Sequence, residues 1–201
     1  KRDILKLWPT VADRLHVIPH GVGDAYLSDN ARTALSPTTM SFLSRGRYLL
    51  YLGGIQDRKR FPWAVDVLAA CSDSSIRMLA CGFTATEASE AASRLPDGLR
   101  PRVDFLPFVS ESEMPMVYER AIATLYPTLY EGFGFPAVES QAVGTPVLFS
   151  TLGSLAELVG PHSVVLPPHD LAAWVRAVND LADARQAPQK EPASAAWAKR
   201  F

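Results

Sequence analysis

Tyr130-Glu131-Gly132-Phe133-Gly134-Phe135-Pro136-Ala137-Val138-Glu139 sets two carboxylates around a glycine-rich turn and a proline. Glycine opens backbone conformations closed to other residues and lets bare N–H groups come close to a ligand. Pro136 suits the first position of a helix, where its missing N–H costs nothing. Glu131 is therefore expected on a loop, and Glu139 one turn into the helix, facing inward. The start of that helix offers unpaired N–H groups and a partial positive charge, a setting suited to a phosphate.

Outward from this segment, short apolar runs alternate with longer helical patterns, the signature of parallel βα units. Strands are predicted over 16–18, 48–52, 76–80, 103–105, 122–126, 147–149 and 164–166. Several are apolar almost without interruption, as strands covered on both faces must be. Helices are predicted over 62–71, 85–94, 112–120, 136–143, 154–158 and 171–184, with Ser110 and Glu113 spaced as a capping box and Asp170 as the N-cap of the last. The fold class is α/β, a doubly wound, Rossmann-like parallel sheet. Residues 27–47, rich in Ser, Thr, Asn and Pro, read as a surface connection, and 186–192 as a Pro-containing linker.

A chain of 201 residues with 48% hydrophobic content builds one domain with a full core. The formal net charge of -1 leaves no basic excess for a polyanion, which argues against nucleic-acid binding. Cys71 and Cys81, the only cysteines, read as core thiols of a reducing compartment. No apolar run approaches the roughly 20 residues that cross a bilayer, and the first residues lack a signal-peptide pattern. A cytoplasmic protein is expected. Lys1 is not Met and the final residues stop in a helical pattern, so the chain reads as cut from something longer.

The quoted segment resembles the signature of retaining GT-B glycosyltransferases, in the large family that includes bacterial mannosyl- and glucosyltransferases. Ile18-Pro19-His20-Gly21-Val22, the stretch from Leu52-Gly53-Gly54 to Arg58-Lys59, Val103-Asp104-Phe105-Leu106-Pro107-Phe108-Val109-Ser110 and Gly144-Thr145-Pro146-Val147 follow in the family's order. The resemblance covers roughly residues 10 to 185 and implies the C-terminal, donor-binding half of such an enzyme. On that reading 1–15 is a remnant of the interdomain region, 16–185 the nucleotide-sugar-binding domain, and 186–201 the linker and the start of a C-terminal helix. It implies transfer of a hexose, with retention, from a GDP- or UDP-sugar to a sugar, glycolipid or polysaccharide acceptor. An N-terminal domain would supply most of the acceptor site, and through it the enzyme would sit peripherally at the inner membrane face. Other expectations that stay open are a GT-B nucleotide-sugar epimerase or phosphorylase, and a non-catalytic binding module.

The resemblance also implies roles. Glu131 lies near the donor hexose, whose hydroxyls meet the N–H groups of Gly132, Phe133, Gly134 and Phe135. Glu139 accepts from the ribose hydroxyls, as an ionised carboxylate can. Gly53 and Gly54 belong to the donor-binding set, and Arg58 and Lys59 after their turn hold the diphosphate and stabilise it as it leaves, so that Glu131, Arg58 and Lys59 form the catalytic set. The loop at Leu106 flanks the base. One common version of the motif has Arg where Gly54 stands, and Arg58 would supply that charge here. Cys81-Gly82-Phe83 either lines the cleft or is a plain turn. His20, at the passage between domains, reads as a turn histidine. Glu157, after Gly153-Ser154, either faces the sugar or is a first-turn acid. His16, His20, His162 and His169 are scattered, so no metal site and no cofactor is expected.

Overall fold

In the computed structural model, which describes residues 1–27, 35–184 and 192–201, six strands among the described residues form one parallel sheet. They are β1 (Tyr48–Leu52), β2 (Arg77–Cys81), β3 (Val103–Phe105), β4 (Thr124–Leu125), β5 (Val147–Phe149) and β6 (Ser163–Val165). Their order is β3-β2-β1-β4-β5-β6, and Leu50 pairs with Leu79 on one side and Thr124 on the other. The winding reverses direction between β1 and β4. In doubly wound sheets that reversal opens a crevice at the carboxyl edge, where ligands bind.

Helices cover both faces. Leu49, Tyr51, Met78 and Ala80 point to one, against α4 (Phe61–Ala70) and α8 (Leu171–Ala184), with Ala91 of α5 (Ala85–Ser93) in the same cluster. Tyr48, Leu50, Leu79 and Cys81 point to the other, with α6 (Met114–Arg120) and α7 (Phe135–Ala142). This strict alternation explains why the central strands read as unbroken apolar runs. Burial pushes the Cys71 and Cys81 thiols up, to about 11 and about 12, so both are inert core thiols at neutral pH.

Several elements differ from their sequence expectations. No strand forms at 16–18, where Val17 and Ile18 are 67% and 86% exposed. The sheet offers this segment no ladder, and an apolar triplet without one cannot pair its backbone groups. The connection expected at 27–47 contains α3 (Pro37–Leu43), which Ser36 caps by accepting the Thr39 N–H at 3.2 Å. Gly153–Leu158 is 3-10 rather than α-helical, and α6 begins at Met114. The linker expected at 186–192 lies almost wholly outside the described residues.

Asp170 caps α8 as expected, accepting the Ala173 N–H at 2.9 Å. Ser110 and Glu113 form only part of a capping box, because the Ser110 hydroxyl donates to Glu113 at 2.8 Å. The complete box stands instead at Thr84 and Glu87, before α5. The other Glu113 oxygen accepts the Ser36 N–H at 2.6 Å and so ties α3 to α6. That N–H, then the Ser110 hydroxyl, hold the Glu113 carboxyl at about 2, against an ordinary 4.5. A carboxyl depressed on folding contributes stability above its unfolded pKa, and that share is lost as pH falls toward the folded value. Glu113→Gln is therefore expected to lower stability at neutral pH and to flatten its decline between about pH 4.5 and 2, as read by urea unfolding at a series of pH values.

The chain's last described helix, α9 (Pro192–Ala198), returns across α7. Trp197 and Ala198 are buried there, and Phe201 packs on Phe133 with ring centroids 5.8 Å apart. A short N-terminal helix, α1 (Arg2–Leu7), buries none of its residues, and α2 (Asp24–Leu27) contributes Tyr26 to the core. Among the described residues no helix is long and apolar enough to cross a membrane.

Candidate functional site

Two loops meet where the winding reverses. The β1–α4 loop carries Gly53 to Arg60, and the β4–α7 loop carries Pro127 to Gly134. Their backbones are joined directly, the Leu129 N–H donating to the Arg58 carbonyl at 2.9 Å.

The first loop turns on Gly54, which has a φ of 62° and lies so close to the Gly82 carbonyl that an added Cβ would sit 2.4 Å from its oxygen. No side chain fits here, which gives a steric reason for the absence of the motif's Arg. The Gly53 and Gly54 N–H groups both point at the Cys81 carbonyl, at 3.3 and 3.4 Å. A 3-10 turn, Asp57–Lys59, then brings Arg58 and Lys59 to the second loop.

There both cations close on one carboxylate. Arg58 reaches Glu131 Oε2 at 2.8 Å and Lys59 reaches Oε1 at 2.6 Å. The Thr128 hydroxyl donates to Oε1 at 2.8 Å from a fully buried position. Burial by itself raises the pKa of Glu131, but hydrogen bonds from Lys59, Thr128 and Tyr126 and the charge of Lys59 outweigh it and hold the carboxyl below its ordinary value. Glu131 is thus ionised at neutral pH. Arg58 also donates to the Tyr130 carbonyl at 2.9 Å, and Lys59 lies 3.4 Å from the Tyr126 hydroxyl. Ser154 pins the glycine turn from behind, donating to the carbonyls of Glu131 and Phe133 at 2.7 and 2.9 Å. Gly134, at a φ of 116°, stands before the first residue of α7 and leaves no room for a Cβ against Leu155.

Glu139 lies apart from this cluster, one turn into α7. It faces a cleft of about 700 Å³ lined also by Leu106, Pro107, Phe108, Gly82, Phe83 and Tyr26. Burial raises its pKa, opposed by hydrogen bonds from Tyr118 and Tyr26 and reinforced by the charge of Glu111. The Tyr118 hydroxyl donates to Oε2 at 2.6 Å. Gly82 and Phe83 line this cleft as well as forming a turn. Leu106 is buried in its wall, while Phe108 stands 93% exposed at its mouth. A second cleft, of about 660 Å³, opens between α4 and α5, and Glu131, Arg58, Lys59 and Glu139 are absent from its walls.

The structure therefore gathers Glu131, Arg58 and Lys59 at one point, and Glu139 with Leu106 at a neighbouring one. His20 packs on the rings of Phe133 and Phe135, each 5.3 Å away, and Glu157 is exposed. Thr128, Tyr126 and Tyr118 were not singled out from sequence. For Tyr126 and Thr128 the available signal was position, at and just past the carboxyl end of a predicted strand; for Tyr118, inside a helix, there was none. Chemically, the cluster offers two cations and one carboxylate, and the neighbouring cleft a mostly apolar wall with one carboxylate, which together suit an anion joined to a flat, polar-edged body.

The family model described as "Glycosyl transferases group 1" matches residues 46–184. The chain is 27% identical over 177 residues to O-antigen chain mannosyltransferase B of Escherichia coli, covering 86% of the chain and 46% of that protein. It is 29% identical over 209 residues to D-inositol 3-phosphate glycosyltransferase of Mycolicibacterium smegmatis, covering 100% of the chain and 47% of that protein. Among solved structures it superposes on WaaG, a glycosyltransferase involved in lipopolysaccharide biosynthesis, with a TM-score of 0.69 at 20% identity, over 98% of the chain and 53% of WaaG. It superposes on Anabaena Alr3699/HepE in complex with UDP and glucose with a TM-score of 0.68 at 20% identity, over 93% of the chain and 52% of that one. The chain spans about half the length of the curated relatives it matches.

Proposed function

The chain belongs to the glycosyl transferases group 1 family and has the fold of one Rossmann-like half of a GT-B enzyme; from that premise we propose that it is the donor-binding half of a retaining hexosyltransferase using a nucleotide-diphosphate sugar. The observation that carries the reading is the convergence of Arg58, Lys59 and Glu131 at the reversal of the sheet, beside the cleft that holds Glu139 and Leu106. A nucleotide sugar has the matching parts in the matching order. The base lies along the wall at Leu106, the ribose hydroxyls donate to Glu139, the diphosphate meets Arg58, Lys59 and the start of α7, and the hexose faces Glu131 and the turn at 132–135.

Each part has a physical task. As the bond at the anomeric carbon breaks, charge collects on the departing diphosphate, and preorganised cations at that point lower the barrier. Ser154 holds the peptide units that carry the Gly132 and Gly134 N–H groups, which can orient the hexose without rearranging, with the Phe133 and Phe135 N–H groups beside them. Two supports come from relatives: HepE is seen with UDP and glucose, and an O-antigen mannosyltransferase is among the similar sequences. The acceptor is then a sugar, glycolipid or polysaccharide, met by the half of the enzyme that precedes this one, and the active site is completed only when the two halves close.

Titration calorimetry with GDP and UDP tests the reading. The chain is expected to bind one of them, and Arg58→Ala or Lys59→Ala to weaken that binding by roughly 1.5–3 kcal/mol each, the range for a charge-assisted hydrogen bond. Affinity for the bare nucleoside should not change. Unaltered diphosphate affinity in both variants removes these residues from the site.

A further inference from the structure

We propose that Glu131 is the internal counter-ion of the diphosphate site, exchanged off Arg58 and Lys59 when a nucleoside diphosphate binds and returned to them when it leaves. This rests on the reading above, in which those two cations hold the diphosphate. The carboxylate places one oxygen on each cation, at 2.8 and 2.6 Å. The contact is largely withdrawn from water on two of its three sides, with Glu131 and Lys59 side chains 10% and 13% exposed. A charge pair in such a setting is worth more than a surface pair, and an incoming anion competes with it for the same two cations.

The architecture allows the exchange. Anion and cations hang from different strands, Glu131 from the loop after β4 and Arg58 and Lys59 from the loop after β1, so they can part with no change in the sheet. Thr128 belongs to the same loop as Glu131, and its hydroxyl stays with the carboxylate after the cations have turned to phosphate. The depressed pKa of Glu131 keeps the counter-ion charged across the neutral range. The consequence is kinetic as well as thermodynamic. A product diphosphate held by two bare cations would leave slowly; with a carboxylate waiting to take them back, its release is assisted.

Calorimetric titration with GDP and UDP of the 201-residue chain and three variants tests this. Glu131→Gln removes the competing charge and is expected to bind whichever diphosphate the wild type binds about tenfold more tightly, the lower range for one charge-assisted contact. Glu131→Asp keeps the charge but is too short to span both cations, and also binds more tightly. Asp57→Asn removes a nearby exposed charge that touches neither cation and is expected to leave affinity within about twofold of wild type, as for a screened surface charge. Unchanged or weaker binding by Glu131→Gln and Glu131→Asp overturns the inference, and so does an equal gain in Asp57→Asn, which marks a general charge effect. If Glu131→Gln does not fold, Glu131→Asp decides alone. A wild-type chain that binds neither diphosphate overturns the underlying reading instead, and the inference with it.

Discussion

Asp104→Asn is expected to lower the unfolding free energy by about 3–5 kcal/mol, the cost of stripping a buried ion pair of one partner. Asp104 on β3 faces Arg77 on β2, both under a tenth exposed, and Arg45 closes on the same carboxylate from the half-exposed side. Without Asp104 the Arg77 charge stays in the core with, among the described residues, only the Phe42 carbonyl, at 3.4 Å, to receive it. Burial, and then the neighbouring Arg45, already push the Arg77 guanidinium down. Urea unfolding of the variant measures the loss. The double replacement Asp104→Leu with Arg77→Met should recover most of it, since an apolar pair of similar volume carries no desolvation penalty. A single variant within 1 kcal/mol of wild type, roughly a surface-pair effect, shows that solvent reaches the pair. The site feels this lever, because β3 leads directly into the Leu106 wall of the cleft.

Gly54→Ala is expected to cost about 2–4 kcal/mol, combining left-handed backbone strain with overpacking. The new Cβ would stand 2.4 Å from the Gly82 oxygen, and backbone on both sides leaves nothing flexible to give way. Relief requires shifting the turn that leads to Arg58 and Lys59, so diphosphate affinity should fall together with stability. Arg60, which sits at a φ of 55° with a side chain, shows that the backbone strain at Gly54 is the smaller share. If urea unfolding finds Gly54→Ala within about 1 kcal/mol of wild type, the left-handed strain alone, the contact with Gly82 contributes nothing.

The sheet was largely legible because a strand buried on both faces has to be apolar throughout. Tyr48–Leu52 and Val147–Phe149 carry that mark and form where it places them. The same mark misled at 16–18, since a ladder needs a neighbour and an apolar triplet cannot report one. At 122–126 only Thr124–Leu125 is strand, flanked by single ladder bonds from Leu50 and Tyr126. In α3 the local signals, Ser36 and then Pro37, were present but were outweighed by the polar composition around them.

At the site, the resemblance groups Arg58, Lys59 and Glu131 as a catalytic set but puts the cations on phosphate and the acid on sugar, with no contact between them. Their mutual contact depends on β1 lying beside β4, which no local pattern encodes. Thr128 shows the same limit, a buried hydroxyl marked in the sequence by position alone, just past a predicted strand and near Glu131.

The β1–β4 pairing also sets when the site comes into being. Leu50 and Thr124 are far apart along the chain, and parallel pairing of such distant strands closes slowly compared with local helix formation. Until it closes, the two loops hang from unconnected halves and there is no pocket to fill. On the proposed function, a nucleoside diphosphate would therefore arrive too late to guide the chain to its native state. It acts afterwards as a bolt on a finished structure, slowing escape from the native basin while leaving the rate of entry unchanged.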